Sequence, residues 1–227
     1  MAHPLRHLIL LAALTGALPA QTPRMPVQSL HFTVFSSRPL AAVSFAPQPG
    51  VTPQKTVFYP TARSPRYEYR GPMPLRFTDT SSGAVVAEAT IPPGIRDAML
   101  LFTAVEPAPE KGLRYQIAVL DDGAARHGAG GLAIINLSGL ALSGTIGNKA
   151  VTLAAGLNPS LAAGHSVKIA LHTMFKNRSY QSYADTLQLS AKERALLILF
   201  PPFYKGSMEV QSRLLVDEPP PPPATGR

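Results

Sequence analysis

The sequence contains no cysteine and no tryptophan. Without cysteine there can be no disulfide framework, no thiolate metal site and no thiol for lipid attachment. Charge is also scarce, at 15% of residues, against about a quarter in ordinary globular domains. Proline is plentiful at 24. Helix surfaces need long charged side chains, and proline breaks helices, so a helical bundle is disfavoured. Beyond the first twenty residues no apolar run is long enough to cross a bilayer, so no span is expected in a processed chain.

Chemistry-bearing motifs are missing too. Four histidines follow residue 20: His31, His127, His165 and His172. None forms a His-x-x-x-His pair, and Asp121-Asp122-Gly123 lacks the further acids of a calcium loop, so no metal site is expected. No serine lies in a Gly-x-Ser-x-Gly elbow, and no glycine-rich loop links a strand to a helix. The sequence therefore selects no catalytic residue, no cofactor and no metal ligand.

What is present begins with an export signal. Arg6, flanked by His3 and His7, precedes an apolar run from Leu8 to Leu18, and Ala20 is a small residue at a plausible cut. Residues 1–20 read as a signal peptide, which places the protein in the periplasm or outside the cell. Hydrophobic residues make up 45%, enough for a substantial core. The formal charge is +8, which favours anionic surfaces such as lipid headgroups, acidic polysaccharide or nucleic acid. Nucleic acid is not an expected partner of an exported chain.

Short runs with period-two alternation dominate from Leu30 on. Examples are Leu30/Phe32/Val34, Tyr67/Tyr69, Leu113/Tyr115/Ile117/Val119 and Val167/Ile169/Leu171. That period marks strands with one buried face. Ala98–Val105, Leu132–Leu137 and Ala195–Phe200 are apolar on both phases, as strands covered on both sides would be. Lys176-Asn177-Arg178 reads as a hairpin tip. Roughly twelve to fourteen strands with turn signals between them predict an all-β sandwich of antiparallel strands. Ser190, with Glu193 three residues on, allows a single helical turn before the last apolar run.

The two halves also look alike. Arg96-Asp97-Ala98 and Glu193-Arg194-Ala195 each open an apolar run, then comes a proline loop with Lys111-Gly112 or Lys205-Gly206, then a strand ending in acids. Residues 27–122 and 131–218 are therefore expected to be two tandem Ig-like modules, with one larger sandwich as the alternative. Residues 219–227 form a proline-rich tail.

One local cluster stands out: Arg63, Arg66, Tyr67, Tyr69, Arg70 and Arg76. Arginine can grip phosphate or carboxylate in a forked geometry, and tyrosine can stack on sugars. Strand parity instead puts both tyrosines on one face and Arg66, Glu68 and Arg70 on the other. A solvated strand face is favoured over an anion site.

The tandem pattern of an apolar strand, then Asn136-Leu137-Ser138-Gly139, then a hairpin and a returning strand resembles the uncharacterised exported bacterial proteins with tandem Ig-like β-sandwich modules. The resemblance implies a fold class and an envelope address, and it carries no site residues. The first functional expectation is a non-enzymatic structural or protein-binding module with another envelope protein as partner. Binding of an anionic polysaccharide through the Arg/Tyr strand is the second, and a hydrolase with an inter-module site is the third.

Overall fold

A computed structural model describes residues 27–220. The expected leader and all but the first two residues of the proline tail lie outside the described residues. The strands of the first half are β1 (Val27–Ser36), β2 (Val43–Phe45), β3 (Gln54–Lys55), β4 (Tyr67–Pro72), β5 (Leu75–Asp79), β6 (Val85–Ala89), β7 (Asp97–Ala104) and β8 (Tyr115–Asp121). The second half holds β9 (Gly131–Asn136), β10 (Leu142–Ile146), β11 (Lys149–Leu153), β12 (Gly156–Leu157), β13 (Leu161–Ala162), β14 (Ser166–Phe175), β15 (Arg178–Gln188), β16 (Arg194–Phe200) and β17 (Gln211–Asp217). No helix occurs among the described residues, and the fold is an all-β sandwich type. The turn expected at Ser190 is not helical. Ser190 N donates to Glu193 Oε2 (2.8 Å) and Glu193 N to Ser190 O (3.2 Å), and the chain then runs straight into β16.

Four sheets form. In the first half, sheet β4-β1-β7-β8 faces sheet β3-β2-β5-β6; in the second, β12-β9-β16-β17 faces β11-β10-β14-β15. Each facing pair encloses its own core. Leu30, Phe32 and Val34 of β1 meet Phe45 and Phe77 in the first, with the rings of Phe32 and Phe45 5.0 Å apart and edge-on. Leu132, Ile134, Ile169 and Leu171 fill the second.

A third apolar cluster joins the halves. Phe35, Met99, Leu101 and Leu120 from the first unit pack on Ala133, Ile135, Leu196, Ile198 and Leu215 from the second. This is why β7, β9 and β16 are apolar on both phases. One face of each lines its own sandwich and the other faces the joint.

The expectation of antiparallel strands needs one correction. β1 runs parallel to β7, with Phe32 opposite Ala98, and β9 runs parallel to β16, with Leu132 opposite Ala195. Parallel pairs survive where both faces are covered, and the joint supplies the second cover. These registers also align the halves residue by residue. Phe32 corresponds to Leu132, Asp97 to Arg194, and Asp122, whose N–H bonds Asp97 O, to Asp217, which faces Arg194.

Candidate functional site

Charged groups meet at one end of the joint. Arg194 is the first residue of β16 and Asp217 the last of β17, so antiparallel pairing sets them side by side. Asp122 follows β8, and Arg63 arrives from the segment before β4. Arg194 is 1% exposed, and every one of its five N–H donors is used. Nε donates to Asp217 Oδ1 (3.1 Å), and Nη2 donates to Asp217 Oδ2 (3.0 Å) and Asp122 Oδ2 (2.8 Å). Nη1 donates to the carbonyls of Asp122 and His127, both at 2.9 Å.

Arg63 is less completely held. Nη1 donates to Asp122 Oδ2 at 2.7 Å and contacts Met99 Sδ at 3.3 Å. Nε lies 3.3 Å from Asp217 Oδ2, out of line for a hydrogen bond. Nε, Nη2 and the buried Thr33 hydroxyl have no hydrogen-bond partner. His127 Nε2 donates to Ala195 O at 2.9 Å, so that carbonyl fixes a proton on Nε2. Its Nδ1 lies 3.9 Å from Asp122 Oδ1.

The electrostatics follow from this geometry. Burial alone would raise the Asp122 carboxyl, but His127 and the Arg63 and Arg194 charges outweigh it and hold the group below the ordinary carboxylate value. Burial pulls Arg194 down, while Asp217 and Asp122 more than restore it, so its proton is held more tightly than usual. Two cations and two anions balance in a water-poor space, as buried charge requires.

Beside this network lies a pocket of about 320 Å³ between the units, lined by Arg63, Asp97, Asp122, Asp217 and Glu218 among others. It sits where an inter-module hydrolase would need its site. Its Ser64 hydroxyl, however, donates to Pro65 O (2.7 Å) and accepts from Val34 N (2.8 Å). Neither Ser64 nor Thr33 meets an imidazole or a carboxylate base there. Among the described residues no three His, Asp or Glu side chains gather as metal ligands would.

No protein-family model matches this chain, and no curated protein matches it.

The residues singled out from the sequence are dispersed. Arg63 belongs to the joint. Arg76 lies on β5, in the opposite sheet, and its Nε bonds Glu88 Oε1 at 3.0 Å. Tyr67 and Tyr69 are buried, as strand parity indicates. The Tyr67 hydroxyl accepts from Val57 N (2.8 Å), and that of Tyr69 donates to Pro72 O (2.6 Å). The Tyr69 ring folds back over Gly71, where an added Cβ would sit 2.5 Å from its hydroxyl. Desolvation raises the pKa of both phenols.

Arg66 and Arg70 do stay together, exposed on the outer face of β4. They line a groove of about 1210 Å³ with Arg96 and Arg126, two arginines that sequence proximity did not suggest. Arg66 pairs with Asp97, and Arg126 lies 3.6 Å from Asp121. Glu68 in the same groove bonds His31 at 3.0 Å. Arg70 and Arg96 make no ion pair with any described residue.

Arg194 escaped the sequence reading. It is visible there only as a member of Glu193-Arg194-Ala195 at the head of an apolar run, because its partners come from two distant stretches of chain, Asp122 to His127 and Asp217.

Proposed function

We propose that this protein is an exported, non-enzymatic envelope module of two Ig-like units that binds another protein by strand addition. The observation that carries this reading is the open edge of β15. It is the longest edge strand of the described fold, at eleven residues. Its inner side pairs with β14 over its length, with a bulge at Ser182. On the outer side the single backbone hydrogen bond among the described residues is Val210 N to Ser182 O (3.0 Å). A row of free amides and carbonyls is a template for a partner strand, and alternate side chains beside it supply specificity. The charged groups of the joint support the reading from the other side, because three of the four, Arg194, Asp122 and Asp217, hold one another. The test is affinity capture from envelope extract, followed by amide exchange on the complex. Exchange over residues 178–188 should slow when the partner binds. Capture of no stoichiometric partner, or a complex in which those amides exchange as before, would reject it.

A second reading is favoured by Arg70 and Arg96, two groove cations without an acid of their own. Here the groove holds an anionic polysaccharide by forked contacts to its acids. It predicts retention on heparin-like resin that weakens with salt and drops on Arg70→Ala with Arg96→Ala. Retention unaltered by that pair of changes would exclude the groove.

A further inference from the structure

The end of the second sandwich opposite the charged joint carries an apolar display that neither reading uses. The ten-residue connection from β16 to β17 turns at Tyr204, where Ser207 N bonds Tyr204 O at 3.1 Å. Phe203 and Tyr204 project from this turn at 74% and 73% exposure. Their rings meet edge-on, with centroids 4.9 Å apart. The loop returns alongside β15 through the Val210–Ser182 bond, so it adjoins the β14–β15 hairpin. That hairpin ends at the same pole of the sandwich and exposes Met174 (64%) and Phe175.

Bases ring these apolar tips. Lys176 sits in the hairpin turn and Arg178 follows it, with Lys176 Nζ 5.4 Å from the Phe175 ring, and Lys205 follows Tyr204. None of the three makes an ion pair with a described residue. The one acid in either tip is the exposed Glu209.

The fold itself does not call for the aromatics. The corresponding loop of the first unit, aligned on its Lys-Gly pair, has Pro109-Glu110-Lys111 where this one has Phe203-Tyr204-Lys205. The two loops make the same connection, so the aromatic pair is not there to close it.

We infer that this pole docks onto an anionic lipid surface, with Phe203, Tyr204, Met174 and Phe175 entering the headgroup layer and the three bases meeting lipid phosphate. Aromatic rings with a polar tip settle at the membrane–water boundary, and bases beside them gain from negative lipid. Loop tips can do this without any membrane-spanning segment. A protein groove is the less suitable occupant, because the tips are convex and stand on separate loops.

The absence of tryptophan supplies the test. Tyr204→Trp places a single indole at the tip of the full chain, with no other in the protein. Its emission should shift to the blue on vesicles of phosphatidylcholine with phosphatidylglycerol, and far less on phosphatidylcholine alone. Phe203→Ala with Tyr204→Ala should weaken sedimentation with the mixed vesicles by about tenfold or more. Changing Lys176, Arg178 and Lys205 to alanine should weaken it roughly fivefold for each base, less at high salt. Leu113→Ala, in the corresponding loop of the first unit, should leave it unchanged. An indole that stays water-like while the chain sediments would show contact through another segment and overturn the inference. Equal binding to the neutral vesicles, no binding at all, or alanine variants that lose a protein partner and no lipid would overturn it too.

Discussion

At the scale of single residues, Arg194 is the most consequential side chain in the molecule. Its five donors hold two carboxylates and two carbonyls from two distant segments of chain. Arg194→Met would leave the buried Asp122 with one cation fewer and strip Asp217 of its two bonds to that guanidinium. Breaking a buried pair from one side costs about 3–5 kcal/mol. Urea unfolding of this variant should show a loss of that order; a midpoint close to wild type would mean that water reaches the site.

The same network predicts an acid limb. Asp122 has a lower pKa folded than unfolded, so it binds its proton less readily in the native state. Its contribution is therefore complete above the unfolded value of about 4 and fades as pH falls through the folded one. Urea midpoints should stay level at mildly acid pH and drop below about pH 4. In Asp122→Asn, already weaker, that drop should be smaller. Residues of this kind are hard to read in a sequence. The alternation of Tyr67 and Tyr69 with Arg66, Glu68 and Arg70 needs only period two, and it was legible. The pairing of Arg63 with Asp122 and of Arg194 with Asp217 depends on where four distant segments meet.

At the scale of strands, hydrophobic phase carried most of the information. β1, β4 and β14 bury the predicted phase, and the Lys176-Asn177 turn between β14 and β15 lies where the sequence places it. Strand direction was not legible, because a period of two reads the same parallel or antiparallel. Nor could alternation show that Phe35, on the nominally outer phase of β1, would be covered by the other unit. One close approach between strands gives a sharp test. A Cβ on Gly144 of β10 would lie 2.0 Å from Ala170 O of β14. Gly144→Ala must push two paired backbones apart, at about 2 kcal/mol by the usual cost of overpacking. Thermal unfolding should register it. An unshifted melt would show that the two strands part easily.

At the scale of the whole molecule, the joint makes two sandwiches behave as one body. Leu101 and Ile198 belong to the shared cluster and are almost wholly buried. Calorimetry should therefore find a single unfolding transition for the described fold. Leu101→Ala and Ile198→Ala should each cost about 2–5 kcal/mol and should begin to separate the transition into two. Two resolved transitions in the unaltered protein would mean that the joint is weak. Two-sided apolar runs hinted at this arrangement, but they could equally have marked central strands of one large sheet. Which surface covers them is decided by shape, and shape is not written in any single run.

The correspondence of Asp97 with Arg194 has a further implication. Residues of corresponding strands, β7 and β16 among them, share the apolar cluster of the joint. At this position the first half carries an acid, which pairs with its own Arg66, and the second a base, which reaches across to Asp122. A second half without its sibling would keep Asp217 but lose three of the five hydrogen bonds that Arg194 makes, those to the Asp122 carboxylate and to the carbonyls of Asp122 and His127. The second half is thus completed by the first, and the cost of burying an unsatisfied guanidinium gives it a reason to close on its sibling as the chain folds.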